Sequence, residues 1–166
     1  MPGHDAGRED LTGEHALTDI GQLVLAILFF GSWIADSLWI HLPCLGSGIP
    51  LLVRIPIGAA LILVAGTMAW MSHRIIFREH RETPHVVRKG VFGIVRHPMY
   101  LSEILLYLGL LLLQPSLLAA CIWLLAVGFL HFVARREEQL LLERFGDEYG
   151  AYMHDVAMWL PLRRRS

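Results

Sequence analysis

Arg96-His97-Pro98-Met99-Tyr100 opens an apolar run that reaches Leu113. After Gln114-Pro115-Ser116 a second apolar run goes from Leu117 to Ala134 and ends in Arg135-Arg136-Glu137-Glu138. The two polar clusters therefore start and finish at the same side of a nonpolar layer, joined by a tight reversal. Pro98 fits the first turn of a helix, where its missing N–H is no loss. Tyr100, Glu103 and Tyr107 then follow at i, i+3 and i+7, on one helical face. Residues 99–113 make a first arm of about 23 Å at the helical rise. That is short of a hydrocarbon core of about 30 Å, so this arm tilts little or thins the bilayer locally. A ring of His, Tyr, Arg and Glu at the rim of such a layer is expensive unless something polar binds there.

The rest of the chain reads as membrane protein too. Of 166 residues, 55% are hydrophobic and 17% charged, too apolar for an ordinary soluble domain of one-domain length. Thr18-Asp19 offers a helix start, and residues 20–42 then form an apolar span whose one formal charge is Asp36, to which a structural role is assigned. Pro43 to Pro50 reads as a loop. A second span follows from Leu51 to Met71, with Arg54 placed to snorkel. Its Gly58-Ala59-Ala60 and Ala65-Gly66 give a small-residue face suited to close packing. Residues 1–16, acidic and unlike the basic start of a signal peptide, read as a disordered tail. Residues 17–166 read as one domain. Cys44 and Cys121 cannot build a disulfide framework.

Lys and Arg set the orientation. The loop at 73–97 carries six and the chain from Arg135 onward another six, while the connections at 43–53 and 114–116 carry none. Four spans with both termini cytosolic satisfy the positive-inside rule. Beyond Arg135 the pattern turns amphipathic and breaks at Gly146, as expected for a helix leaving the membrane and another lying along its surface. Trp159 can anchor at the interface, and Arg163-Arg164-Arg165 read as topology anchors. The fold expected is thus all-α: about four transmembrane helices, including a hairpin in the C-terminal half, followed by an amphipathic cytosolic helix.

The hairpin rim combines cations and acids at one depth. The start of the helix at Pro98 has unsatisfied N–H groups and the positive end of its dipole, with Arg96 and His97 adding donors. On the second arm His131, Arg135 and Glu138 share a face, with Glu137 about 100° round. This set suits a zwitterionic ligand. His73, His80 and His85 have no thiolate partner and no helical i, i+4 pairing, so a zinc site is not expected.

Gly90-Val91-Phe92-Gly93-Ile94-Val95-Arg96-His97-Pro98-Met99-Tyr100, then Glu137-Glu138, then Phe145-Gly146-Asp147-Glu148-Tyr149 with Tyr152, resembles the isoprenylcysteine carboxyl methyltransferase family, which is related to the membrane phospholipid methyltransferases. The match runs over roughly residues 75–161. The resemblance implies methyl transfer from S-adenosylmethionine to a lipophilic acceptor, the carboxylate of an isoprenylcysteine-like or other small molecule, entering from the bilayer at the cytosolic face. A bacterial inner membrane is the expected location, and nucleic acid is not an expected partner. The cofactor site it implies lies within 84–161. It comprises Pro84, His85, Val86, Val87, Phe92, His97, Pro98, Met99, Tyr100 and Glu137, with Arg96 and Glu138 as catalytic candidates. A carboxylate acceptor is already a nucleophile at pH 7; an amine or thiol needs a base, for which Glu138 and His131 are the candidates.

Four positions depart from the family pattern. Val133 stands where the isoprenylcysteine enzymes carry a substrate-contacting Arg, Phe92 replaces a usual Tyr, and Ala157-Met158 replaces Pro-Arg before Trp159. The cofactor half of the resemblance is intact and the acceptor half is not. Two other classes compete. Membrane sterol-type reductases, which bind NADPH, share a His-Pro-x-Tyr-x-x-Glu pattern that Glu103 completes. A haem-binding or scaffold protein fits His97 and His131 on adjacent helices.

Overall fold

The computed structural model describes residues 6–40, 48–79 and 85–160, with side chains over 19–38, 48–76 and 85–160. Every element among them is helical: α1 (Ala6–Ala35) running into a π-helical turn (Asp36–Ile40), α2 (Leu51–Glu79), a 3-10 turn (Gly90–Gly93), α3 (Pro98–Leu113), α4 (Leu117–Phe145) and α5 (Asp147–Asp155). Three stretches are long and apolar enough to cross a membrane: Asp19–Leu38, Leu51–Ile76 and Leu117–Phe145. The expected fourth span is α3, whose 16 residues cover about 24 Å. The bundle therefore has three full-length helices and one short arm.

Two boundaries differ from the sequence reading. α1 begins at Ala6 instead of Thr18-Asp19, so the backbone of 6–16 is helical where composition favours a tail. α2 runs on to Glu79, past the apolar stretch and into the basic segment from His73. One cause accounts for both. Nucleation is the unfavourable step in making a helix, and a helix already nucleated in a span extends outward with one hydrogen bond gained per residue fixed.

Small residues decide how α2 meets α3. A Cβ built on Gly58 falls 2.9 Å from the Gly109 carbonyl oxygen, and one built on Gly109 falls 2.9 Å from the Gly58 carbonyl oxygen. Two backbones are thus in contact, as the small-residue face of α2 predicts. The core joins Phe29 of α1 to Tyr107 and Leu111 of α3 and to Ala119 and Ala126 of α4. The Phe29 and Tyr107 rings stack with centroids 4.2 Å apart, a contact worth about 1 kcal/mol beyond its area.

The far end of the bundle is latched by polar side chains. Trp33 Nε1 donates to the Gln114 carbonyl at 3.0 Å, and the Gln114 amide donates to the Ser37 hydroxyl. Ser116 caps α4 by accepting from the Ala119 N–H at 3.2 Å. Asp36 is buried beside this latch. Arg54, expected to snorkel, reaches instead toward the Leu113 carbonyl at the end of α3. Residues 41–47, with Pro43 and Cys44, and residues 161–166, with the terminal arginines, lie outside the described residues. Cys121 is exposed on the outer surface of α4.

Candidate active site

Three segments converge at the rim opposite that latch. His97 is the residue before α3, and Pro98 is its first residue, as the sequence predicts. The Leu101 N–H bonds the His97 carbonyl at 3.0 Å, which leaves Met99 and Tyr100 with N–H groups that have no intrahelical acceptor. Glu137 and Glu138 enter from α4, and the third contribution is the segment 85–96.

His97 lies between the two glutamates. Its Nε2 is 3.2 Å from Glu138 Oε1 and its Nδ1 is 3.7 Å from Glu137 Oε2. Tyr100 donates its hydroxyl to Glu137. Behind them Arg96 Nε sits 2.8 Å from Glu138 Oε1, and Arg96 Nη1 donates to the Met153 carbonyl at 2.8 Å. Glu138 is 2% exposed and its Oε2 has no hydrogen-bond partner. The adjacent acids have thus divided their work. Glu137 faces outward with Tyr100, and Glu138 is buried against Arg96 and His97.

The segment 85–96 is fastened to α5 and to the chain after it. Gly146 (φ 52°) breaks α4 from α5, placing Tyr149 and Tyr152 under this segment with Val86. Tyr152 donates to the Phe92 carbonyl at 2.7 Å, Val86 N–H reaches Glu148 Oε1 at 3.4 Å, and Arg96 N–H donates to the Ala157 carbonyl at 3.0 Å. Burial pushes the Tyr152 hydroxyl up to about 12, against the opposing pull of Arg96 and Arg88, and burial raises Tyr149 as well. Both remain neutral at physiological pH.

These parts enclose a cavity of about 640 Å³, within the range of cofactor sites. Its walls include His85, Val86, Val87, Phe92, His97, Pro98, Met99, Tyr100 and Glu137, nine of the ten residues predicted for the cofactor, together with Arg96. The tenth, Pro84, lies outside the described residues. Glu138, the other catalytic candidate, is not among the lining residues and is held by Arg96 and His97 behind the wall. His131 accepts at Nδ1 from Trp159 Nε1 at 3.1 Å, so Trp159 folds back over the site, its ring 6.0 Å from that of His97. Glu103 accepts from the Tyr107 hydroxyl at 2.8 Å, so the residue that completes the reductase pattern is occupied within its own helix. Val133 is buried within α4.

Several lining residues were not singled out as site residues from the sequence. Tyr149 and Tyr152 belong to the recognised motif but read as one face of a surface helix. Leu141 and Phe145 read the same way. Asp19 and Gln22 of α1 line the cavity as well, and their one sequence signal is polarity three residues apart at the start of a span.

The fold and the site define a class: an all-α membrane protein with a cofactor-sized cavity at one rim of its bundle, mostly apolar in its walls and carrying a few polar groups. Residues 53–148 match the family model described as phospholipid methyltransferase, and the chain belongs to that family. It is 31% identical over 118 residues to methanethiol S-methyltransferase 1 of Bradyrhizobium diazoefficiens, covering 64% of this chain and 40% of that one. It is 36% identical over 101 residues to the protein-S-isoprenylcysteine O-methyltransferase of Saccharomyces cerevisiae, covering 59% of this chain and 42% of that one. Identity is 26% over 139 residues to the cobalt-zinc-cadmium resistance protein CzcN of Cupriavidus metallidurans, covering 83% of this chain and 58% of that one. The chain thus spans about half the length of these curated relatives. No solved structure matches. The kinship read from the motifs is borne out by the family and by the two relatives named as methyltransferases.

Proposed function

We propose that this protein is a membrane methyltransferase that uses S-adenosylmethionine and passes the methyl group to a lipophilic acceptor at the cytosolic rim. The observation that carries the reading is the donor set of the 640 Å³ cavity. It combines carboxylates, a tyrosine hydroxyl, a helix start and aromatic walls in one enclosure, which is what a zwitterionic, adenine-bearing ligand needs.

The residues fit that ligand group by group. Glu137, held by Tyr100, accepts from an ammonium or from ribose hydroxyls. The Met99 and Tyr100 N–H groups at the start of α3 receive a carboxylate. Phe92 and Tyr149 supply flat apolar surface for a base. The sulfonium supplies an already activated methyl group, so the protein's part is to align the acceptor and keep water out. The segment 85–96, tied down by Tyr152, serves as the lid.

Both side chains offered by the sequence as a base are engaged elsewhere, Glu138 by Arg96 and His97, and His131 by Trp159. This favours an acceptor that has no proton to lose, such as a carboxylate. The rim position gives a lipophilic molecule lateral access from the bilayer. The distribution of Lys and Arg supports a cytosolic orientation of this rim and both termini, and a bacterial inner membrane is the location that goes with this reading.

Purified protein in detergent, given methyl-labelled S-adenosylmethionine and a lipid extract, is expected to move label into organic-soluble product. It is also expected to bind S-adenosylhomocysteine. Tight NADPH binding with no response to S-adenosylhomocysteine overturns the reading in favour of the reductase class.

A further inference from the structure

We infer that Asp19 and Gln22 of α1 are part of the cofactor site, and that the Asp19 carboxylate gives the pocket a preference for a cationic sulfur over a neutral one. This rests on the methyl-transfer reading above and extends it to a helix outside the 53–148 region that the family model matches.

Placement is the first argument. Asp19 and Gln22, one turn apart on the same face of α1, line the same cavity as Tyr100 and Glu137. Asp19 is the first residue of its membrane-spanning stretch, so it stands at the depth of the cavity mouth. Gly21 explains how α1 comes so near. A Cβ built there meets Phe129 Cζ of α4 at 2.3 Å, so α1 lies directly against α4 beside these two residues.

Charge is the second argument. Among the described residues, the acidic and basic side chains in the cavity wall are Asp19, Glu137 and Arg96, with His85, His97 and three tyrosines as further titratable groups. Arg96 is already engaged by the buried Glu138 and by the Met153 carbonyl. Two wall carboxylates therefore face a ligand that carries two cationic centres, an ammonium and a sulfonium, while its own carboxylate takes the start of α3. In the family reaction the S–CH3 bond breaks and its electron pair stays on sulfur. The methyl carbon bonds to the acceptor's nucleophilic atom, and the sulfur becomes a neutral thioether. A carboxylate that attracts the sulfonium loses that attraction once transfer is complete, which favours exchange of spent for fresh cofactor.

The test is calorimetric titration of full-length protein in detergent with S-adenosylmethionine and, separately, S-adenosylhomocysteine. The comparison covers wild type, Asp19→Asn, Asp19→Glu, Gln22→Leu and, as an exposed control, Glu143→Gln. Asp19→Asn is expected to weaken the sulfonium ligand about five-fold at most and the thioether ligand by less than about two-fold, as befits one exposed charge. Asp19→Glu is expected to restore most of the difference, Gln22→Leu to weaken both ligands, and Glu143→Gln to change neither. Unchanged affinities in Asp19→Asn, or equal loss for both ligands, overturn the inference while leaving the methyltransferase reading in place. Wild type that binds neither ligand overturns that reading, and the inference with it.

Discussion

Arg96 and Glu138 form a buried pair in which Nε and Oε1 are 2.8 Å apart and the side chains are 10% and 3% exposed. The pair ties the residue before His97 to α4, so it fixes the angle at which α3 leaves the lid. Removing one partner of a buried pair leaves the other charged and unpaired, which costs about 3 kcal/mol or more. Glu138→Gln and Arg96→Leu are therefore expected to lower the melting temperature in detergent sharply. Glu137→Gln, at the half-buried cavity wall, is expected to leave melting nearly unchanged and to remove ligand binding. Equal melting of the Glu137 and Glu138 variants would show that the two acids do not divide in this way.

Tyr152 fastens the proposed lid, the segment 85–96, through its 2.7 Å bond to the Phe92 carbonyl. Tyr152→Phe removes about 1 kcal/mol of that restraint. Cofactor affinity is expected to fall several-fold in titration, with little change in secondary structure by circular dichroism.

The same residue gives a pH signature. Its folded pKa, about 12, exceeds the ordinary value of 10.0, so the folded protein holds this proton where the unfolded chain has lost it. The corresponding stability is fully present below pH 10 and is lost as pH rises toward 12. Denaturant titrations should show stability falling across that window, less steeply in Tyr152→Phe. Tyr149, shifted in the same direction, contributes to the remaining slope.

Close approach of α2 and α3 makes Gly58 intolerant of a side chain. A Cβ there meets the Gly109 carbonyl at 2.9 Å and Leu113 at 3.0 Å, a backbone atom that cannot swing aside among them. Gly58→Ala is expected to destabilise by about 1–3 kcal/mol, whereas Gly66→Ala, with nothing within 4 Å, is expected to be neutral. Thermal melts of the two variants in one detergent make the comparison.

Much of this was legible in the sequence because it is local. Pro98 at a helix start, the reversal at Gln114-Pro115-Ser116 and the break at Gly146 each follow from the residue's own backbone or capping chemistry. The small face around Gly58 follows from side-chain size. Nine of the residues expected to hold the cofactor line the cavity, and the resemblance carries them as the runs 85–87 and 97–100 with Phe92 and Glu137. Relations set by packing were hidden. The pairing of Glu103 with Tyr107, and of Trp159 with His131, depends on rotamers and on how the chain end folds back. Asp19 reaches the site through the contact of α1 with α4, which no periodicity within α1 encodes. The split between Glu137 and Glu138 follows from which neighbour each meets across the interface. The resemblance gave Glu137 to the cofactor and Glu138 to catalysis, and the burial of Glu138 against Arg96 and His97 is what the sequence did not show.

The central claim is that Glu137, His97 and Tyr100 hold S-adenosylmethionine in the cavity under the 85–96 lid. Calorimetric titration with S-adenosylhomocysteine tests it most directly. Saturable one-site binding in wild type, lost in Glu137→Gln and His97→Ala and retained in Glu143→Gln, is the predicted result. Binding of equal strength in Glu137→Gln and wild type would contradict the account.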